Sequence, residues 1–446
     1  MKNSRLKTLF LTLLLLSFAL PFQVSAQDNF RLPDTRGWGN YVDYFYGTRS
    51  TRENVREQLI AHIDIARIRV DAAISELDDA EISAALVRAA ERGVAVRIVG
   101  DAHFEDSDGF AELVSHEAIS VTFGDGELNY LPDPTLSPLL TFCLPYEPPA
   151  GAISNRIDHI NCTRAAGGLP ENTANRMERP SDFNLMSHTF FLIDETWVWN
   201  ITAPLTEDQP VWLAFRVMSE EIARSYEREF RQMHGGVFST TLSVYNGPLK
   251  SITHTTRTRL TNQGQLRIQF NPQERLIKQI IDEVYRARGS VFIMTENLQN
   301  RDLINALRYK QENGFEVRVL VGRTQGQTGW EAIQAIDGLN VQIAPASLGR
   351  LPTFIVLDSE NDRRGQRNPT RVQILSHELL RSEPFQVESR LPDDRVQIYP
   401  SDTFADGVLW EIEENWGQPN PTVDDREPPA DALSRFWKDI WNTATR

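Results

Sequence analysis

The chain repeats itself. Residues 55–101 and 276–322 match without a gap at a constant shift of 221: Ala66 with Ala287, Val70 with Val291, Leu77 with Leu298, Ala85-Leu86 with Ala306-Leu307, Gly93 with Gly314 and Arg97 with Arg318. Self-similarity of this kind makes the chain two copies of one supersecondary unit rather than a single irregular domain. In each copy a helix-like segment (Val55 to Ala66 in the first) leads to a β-rich run, Ile68 to Ile74. A second helical pattern through Ile82, Ala85 and Leu86 closes on Gly93 and is followed by the strand pattern Val94 to Val99. Short β-rich runs alternating with helices that end on glycine predict two βαβαβ-like units.

Each copy continues to a further pair of strands. Phe190 to Ile193 ends on Asp194 and precedes Thr196 to Trp199; Phe354 to Leu357 ends on Asp358 and precedes Arg371 to Leu375. Four apolar residues in a row predict a strand covered on both faces. Gly93 to Asp194 spans 101 residues and Gly314 to Asp358 spans 44, so the first copy carries 57 more. The Pro-, Gly- and Asn-rich stretch 125–182 accounts for them and reads as a long excursion. It holds both cysteines, Cys143 and Cys162. In an exported chain their pairing as a disulfide would contribute roughly 3 kcal/mol by closing that loop; two buried thiols are the alternative.

Export itself is read from the N-terminus. Lys2, Arg5 and Lys7 precede an apolar run from Leu9 to Leu20, and Val24-Ser25-Ala26 offers small residues for cleavage near Ala26. The run is shorter than the roughly 18–20 apolar residues that cross a bilayer, so a secreted or periplasmic protein is expected. The formal charge is −15, and losing those three basic residues with no acid takes it to −18. Such a surface repels nucleic acid, and no nucleic-acid partner is expected. A helical pattern follows from Glu220 to His234, and a counterpart is expected from Phe404 to Trp416. At the C-terminus Leu433, Phe436, Trp437, Ile440 and Trp441 fall on one helical face. They suit packing on the body of the chain, or a peripheral membrane or envelope contact through Phe436, Trp437 and Trp441.

The two Ala-Leu and Gly-x-x-Val-Arg helix–strand units, the apolar strand ending in Asp in each half, and the helical segment Ser219 to Phe230 resemble the phospholipase D superfamily over the whole mature chain. The resemblance implies an α/β fold of two similar phospholipase D-like sandwich lobes related by a pseudo-two-fold axis. Residues 1–26 would be a signal peptide, 27–238 the first lobe with its insertion, 239–264 a linker, 265–417 the second lobe and 418–446 a tail with an amphipathic helix. It also implies one His-x-Lys-x(4)-Asp motif per lobe, followed by Gly-Ser-x-Asn, with one His attacking phosphorus, the other protonating the leaving oxygen and the lysines holding phosphate. Counted back from Asp194, however, the His position is Ser187 and the Lys position Thr189. From Asp358 they are Leu351 and Thr353. Ile201 stands where the first motif's Ser would lie, and of the second only Ser376 remains.

The loss of both histidines and both lysines predicts a catalytically inactive protein that binds a ligand or partner, without cofactor or metal. An acid/base residue is commonly worth about 10²–10⁴ in rate, and a set acting together more. Asp194 and Asp358 are then expected to serve as structural acceptors at strand-end amides. The alternative is an active secreted phosphodiesterase with a relocated pair, His188 and His377. A one-residue offset on a strand turns His188 to the face opposite Ser187 and Thr189.

Overall fold

In the computed structural model the described residues are 41–47, 49–124, 142–145, 160–163, 186–206, 209, 212–234, 257–260, 264–271, 274, 276–298, 300–322, 339–360, 364–366, 369–376, 380, 385–390, 396–401, 407–413 and 429–444. The apolar runs found in the sequence become the middle of two mixed sheets. In the first lobe the elements are β1 (Tyr41–Gly47), α1 (Arg49–Ile65), β2 (Arg69–Ile74), α2 (Ala80–Glu91), β3 (Ala95–Asp101), α3 (Asp108–Ser115), β4 (Ile119–Gly124), β5 (Thr189–Ile193), β6 (Trp197–Ile201), β7 (Trp212–Met218) and α4 (Glu220–His234). Their sheet order is β1-β7-β6-β5-β2-β3-β4.

The second lobe contains β8 (Arg257–Leu260), β9 (Gly264–Asn271), α5 (Leu276–Arg286), β10 (Ser290–Thr295), α6 (Arg301–Glu312), β11 (Glu316–Val321), β12 (Val341–Ile343), β13 (Thr353–Leu357), β14 (Arg371–Leu375), β15 (Gly407–Glu413) and α7 (Pro429–Ala444). Its order is β8-β9-β15-β14-β13-β10-β11-β12. With the edge strand β8 set aside, the two orders are the same. The directions agree as well: β2, β3 and β4 run parallel, as do β10, β11 and β12, while β5 and β13 run antiparallel to β2 and β10. The duplication in sequence is therefore a duplication of topology.

Local rules explain the shared pieces. Asp79 caps α2 by accepting from the Glu81 and Ile82 amides, and Asn300 caps α6 by accepting from Leu303. Gly93 and Gly314 follow these helices at φ 87° and 74°, the left-handed conformation that glycine enters without a Cβ clash.

Two expectations change. Phe404 to Trp416 does not form a helix: residues 407–413 are strand β15, paired with β9 and β14. Phe404, Val408, Ile412 and Trp416 stand four apart, but Val408, Trp410 and Ile412 also alternate. Two neighbouring strands with unpaired amides decide for the sheet. The true counterpart of α4 is α7: α4 follows β7 as α7 follows β15. Arg97 of β3 lies over Phe230 of α4 at 5.1 Å, and its repeat partner Arg318 lies over Phe292 of β10 at 5.3 Å and Trp441 of α7 at 5.8 Å. The Thr-rich stretch 239–264, expected to be a linker, contains β8.

One apolar cluster joins Phe190, Leu192, Tyr226 and Phe230 of the first lobe to Phe270, Phe292 and Phe354 of the second, with Leu433, Phe436, Trp437, Ile440 and Trp441 of α7 among them. Trp437 stacks on Phe292 at 4.5 Å and on Trp441 at 5.0 Å. The aromatic stripe suggested for a membrane or envelope is thus occupied within the chain. Among the described residues no helix is long and apolar enough to cross a membrane.

In the insertion, residues 142–145 and 160–163 form an antiparallel ribbon whose register sets Cys143 directly opposite Cys162. The rest of that stretch, the signal segment and His377 lie outside the described residues.

Candidate functional site

The ends of β5 and β13 carry the positions that the resemblance makes catalytic, and in both lobes the side chains there are bound into the scaffold. Asp194 sits at φ 48° and Asp358 at φ 60°. Each turns its carboxylate back onto the start of the neighbouring antiparallel strand, β2 or β10. Asp194 accepts from the amides of Arg67 (3.1 Å), Ile68 (2.8 Å) and Arg69 (3.2 Å). Asp358 accepts from the Arg288 (2.6 Å) and Gly289 (2.7 Å) amides and from the Arg371 guanidinium (3.1 Å). Arg67 and Arg288 are partners in the repeat, and the backbone amides of the two Asp residues bond in the same way to Arg69 and Ser290 carbonyls at 2.9 Å. A left-handed non-glycine residue costs on the order of 1 kcal/mol, which charge-assisted bonds to otherwise unpaired amides offset.

These contacts give the carboxylates an anchoring role. Replacing Asp358 by Ala is expected to destabilise the fold by about 3 kcal/mol, since hydrogen bonds to a charged acceptor contribute roughly 1.5–3 kcal/mol each and are not additive. A denaturant midpoint that stays put on Asp358→Ala would remove the anchoring role.

The two lysine positions are closed hydroxyl pairs. Thr189 Oγ1 lies 3.0 Å from Ser75 Oγ, and Thr353 Oγ1 lies 3.2 Å from Thr295 Oγ1. Both threonines are buried, as are Ser187, Leu351 and Ser376. His188 is fully enclosed. It faces the side shared by Phe190 and Leu192, with its ring 5.4 Å from Phe190 and 6.0 Å from Phe270 of the other lobe. Its Nε2 is 3.6 Å from a Glu229 carboxylate oxygen, itself fully buried. This ring is a core element that ties α4 and β5 to the second lobe.

The carboxyl ends of the parallel strands show residues that the sequence did not announce. Asp101 ends β3 and is completely buried. Its Oδ1 accepts from the His103 amide at 2.8 Å and lies 2.6 Å from His103 Nδ1, while Oδ2 accepts from the Met186 amide at 2.7 Å. Burial pushes the Asp101 carboxyl above the usual carboxylate range, against the pull of His103 and these amides. The His103 side chain is one quarter exposed. In the second lobe Glu296, next to β10, accepts from the Leu351 amide at 2.8 Å. Arg350 reaches across to pair with Glu76, and Gln209 donates to the Arg350 carbonyl at 2.7 Å, so the start of β13 is fastened to the first lobe. No signal in one sequence joins Asp101 to Met186, which are 85 residues apart and meet only through strand order.

Among the described residues this end of the fold presents carboxylates and a carboxylate-backed imidazole, and the Arg350 cation at the seam already faces Glu76. Among the described residues no group of three or more His, Cys, Asp or Glu side chains is placed to hold a metal ion.

No family model matches the chain, and no curated protein does. Solved structures similar to it include phosphatidylserine synthase from Haemophilus influenzae Rd KW20, at 11% identity over 90% of this chain and 86% of that one, with a TM-score of 0.47. Polyphosphate kinase from Porphyromonas gingivalis is 11% identical over 91% of this chain, with a TM-score of 0.44, and this chain spans 56% of that protein. Nuc from Salmonella typhimurium, a phospholipase D family member, is 14% identical over 43% of this chain and 93% of its own, with a TM-score of 0.28. These are likenesses of fold alone.

Proposed function

We propose that this chain is an exported protein that keeps a phospholipase D-like architecture without phospholipase D chemistry, and that it acts by binding a ligand or a protein partner. The observation that carries the reading is the state of the four motif positions. Ser187, Thr189, Leu351 and Thr353 are all buried, and both threonine hydroxyls are taken up by neighbouring hydroxyls. No lysine stands there to neutralise a phosphodiester, the Glu296 carboxylate lies beside the start of β13, and the Arg350 guanidinium is taken up by Glu76. A unit charge at about 4 Å is worth roughly 4 kcal/mol at an effective dielectric of 20, which weighs against an anionic substrate. The excursion 125–182, which holds Cys143 and Cys162, is the second place where we propose that a partner binds.

The test is direct. Mature protein beginning near Gln27 is expected to leave bis(p-nitrophenyl) phosphate and phosphatidylcholine unhydrolysed above the buffer rate. Turnover that disappears on His188→Gln or His377→Gln would restore an active phosphodiesterase.

A further inference from the structure

The helix pair α1–α2 of the first lobe is repeated as α5–α6 in the second, and the two pairs differ where their helices meet. In the first lobe Asp64 of α1 and Arg88 of α2 form an ion pair with two hydrogen bonds, at 3.0 and 2.8 Å. Their repeat partners at the shift of 221 are Tyr285 of α5 and Tyr309 of α6, whose rings meet edge to face at 5.5 Å. Both rings are open to solvent, 46% and 52% exposed. Joining the two helices does not require aromatic rings, since the first lobe does it with a polar pair.

Charge changes along with the aromatic pair. Residues 55–93 hold five Lys or Arg against eight Asp or Glu, whereas residues 276–314 hold six against five. The second segment is thus slightly basic in a chain of formal charge −15, and it repels another copy least. Its charges are also ordered by sign. Asp282 stands three residues before Tyr285 on the same face of α5, and Arg288 stands three residues after it, just past the helix end. The Arg288 side chain is exposed, and among the described residues only its backbone amide is engaged, by Asp358. An acid–ring–base order is self-complementary: a two-fold axis through Tyr285 turns Asp282 of each copy toward Arg288 of the other. The first-lobe counterparts Ala61, Asp64 and Arg67 lack this property, since the same rotation sets Asp64 against itself.

We propose that the α5–α6 face is the contact of a two-fold symmetric dimer, and that its occupant is a second copy of this chain. Tyr285 and Tyr309 of each copy form the apolar centre; tyrosine suits such a place because its ring is apolar while its hydroxyl can stay at the wet rim. Reciprocal Asp282–Arg288 pairs flank the rings and set the register. Within one copy Asp282 meets Lys278 at 2.8 Å in an exposed bridge, a kind of pair that holds its members weakly, so Asp282 is available to the other copy. The contact goes beyond the function proposed above and does not depend on the loss of phosphodiester chemistry.

The experiment is sedimentation velocity of the mature chain at concentrations up to about 100 μM, which covers dimers of modest affinity. A reversible monomer–dimer equilibrium is expected. Tyr285→Asp combined with Tyr309→Arg copies the first lobe's ion pair into the second, so the melting temperature should hold while Kd rises at least about 30-fold. Asp282→Arg and Arg288→Asp should each weaken the dimer, and the two together should restore it, a rescue that damage to the fold would not give. If the tyrosine variant fails to fold, the charge reversals still decide. A wild-type chain that stays monomeric overturns the proposal, and co-sedimentation of that monomer with phosphatidylglycerol vesicles would assign the face to a membrane instead. A dimer indifferent to the tyrosine changes, or reversals that do not compensate, overturn it as well. Phosphodiester turnover would sink the non-phosphodiesterase reading and leave this contact standing.

Discussion

Deleting residues 429–446 is expected to abolish cooperative unfolding of the second lobe. Helix α7 places Leu433, Phe436, Trp437, Ile440 and Trp441 in the cluster shared by both lobes, each at most 6% exposed. Burying one such side chain contributes roughly 1.5–3 kcal/mol, so the five together supply on the order of 10 kcal/mol. That is comparable with the whole stability of an ordinary domain, about 5–15 kcal/mol. The single substitution Trp437→Ala removes the stack on Phe292 and should cost about 3–5 kcal/mol. Circular dichroism against urea measures both. If the truncated chain keeps one sharp transition at the original midpoint, α7 is an appendage and the stripe is open to a partner after all.

The second large effect is acid sensitivity centred on His62. This ring is buried between Trp197 and Trp199, and its Nδ1 accepts the Trp199 indole N–H at 2.9 Å. Burial, with the nearby Arg216 guanidinium adding to it, lowers its pKa from 6.5 to about 3. The folded chain therefore keeps the ring neutral while the unfolded chain takes up a proton below pH 6.5. Its stabilising contribution is whole above pH 6.5 and is lost as the pH falls through about 3. At about 1.4 kcal/mol per pH unit, the loss is on the order of 5 kcal/mol. His234, whose pKa burial lowers to about 4 with help from Arg97, acts in the same direction. His62→Gln can still accept from Trp199 but does not titrate, so its midpoint should vary less between pH 6.5 and 4. An unchanged pH slope in that variant would take His62 out of the account.

Much of the fold was legible because the sequence states it twice. The glycine-closed helices and the apolar strands ending in Asp194 and Asp358 needed only local rules, and the shift of 221 pairs the two sets. What stayed hidden depends on tertiary neighbours. The 407–413 segment fits both a four-residue and a two-residue spacing, and only the open edges of β9 and β14 choose between them. The place of α7 was obscured by the Pro-rich stretch before it, which makes the helix look detached when it repeats α4. At the site, the degenerate motif positions were readable by counting. The hold of Asp101 on Met186 was not, because the two meet only through strand order.

The order in which the chain is made gives α7 a further consequence. Because α7 follows every strand that it covers, the aromatic surface around Phe292 and Phe354 stays bare in a growing chain until residues 429–444 have been made, and a copy that stops before them would keep that surface open to solvent.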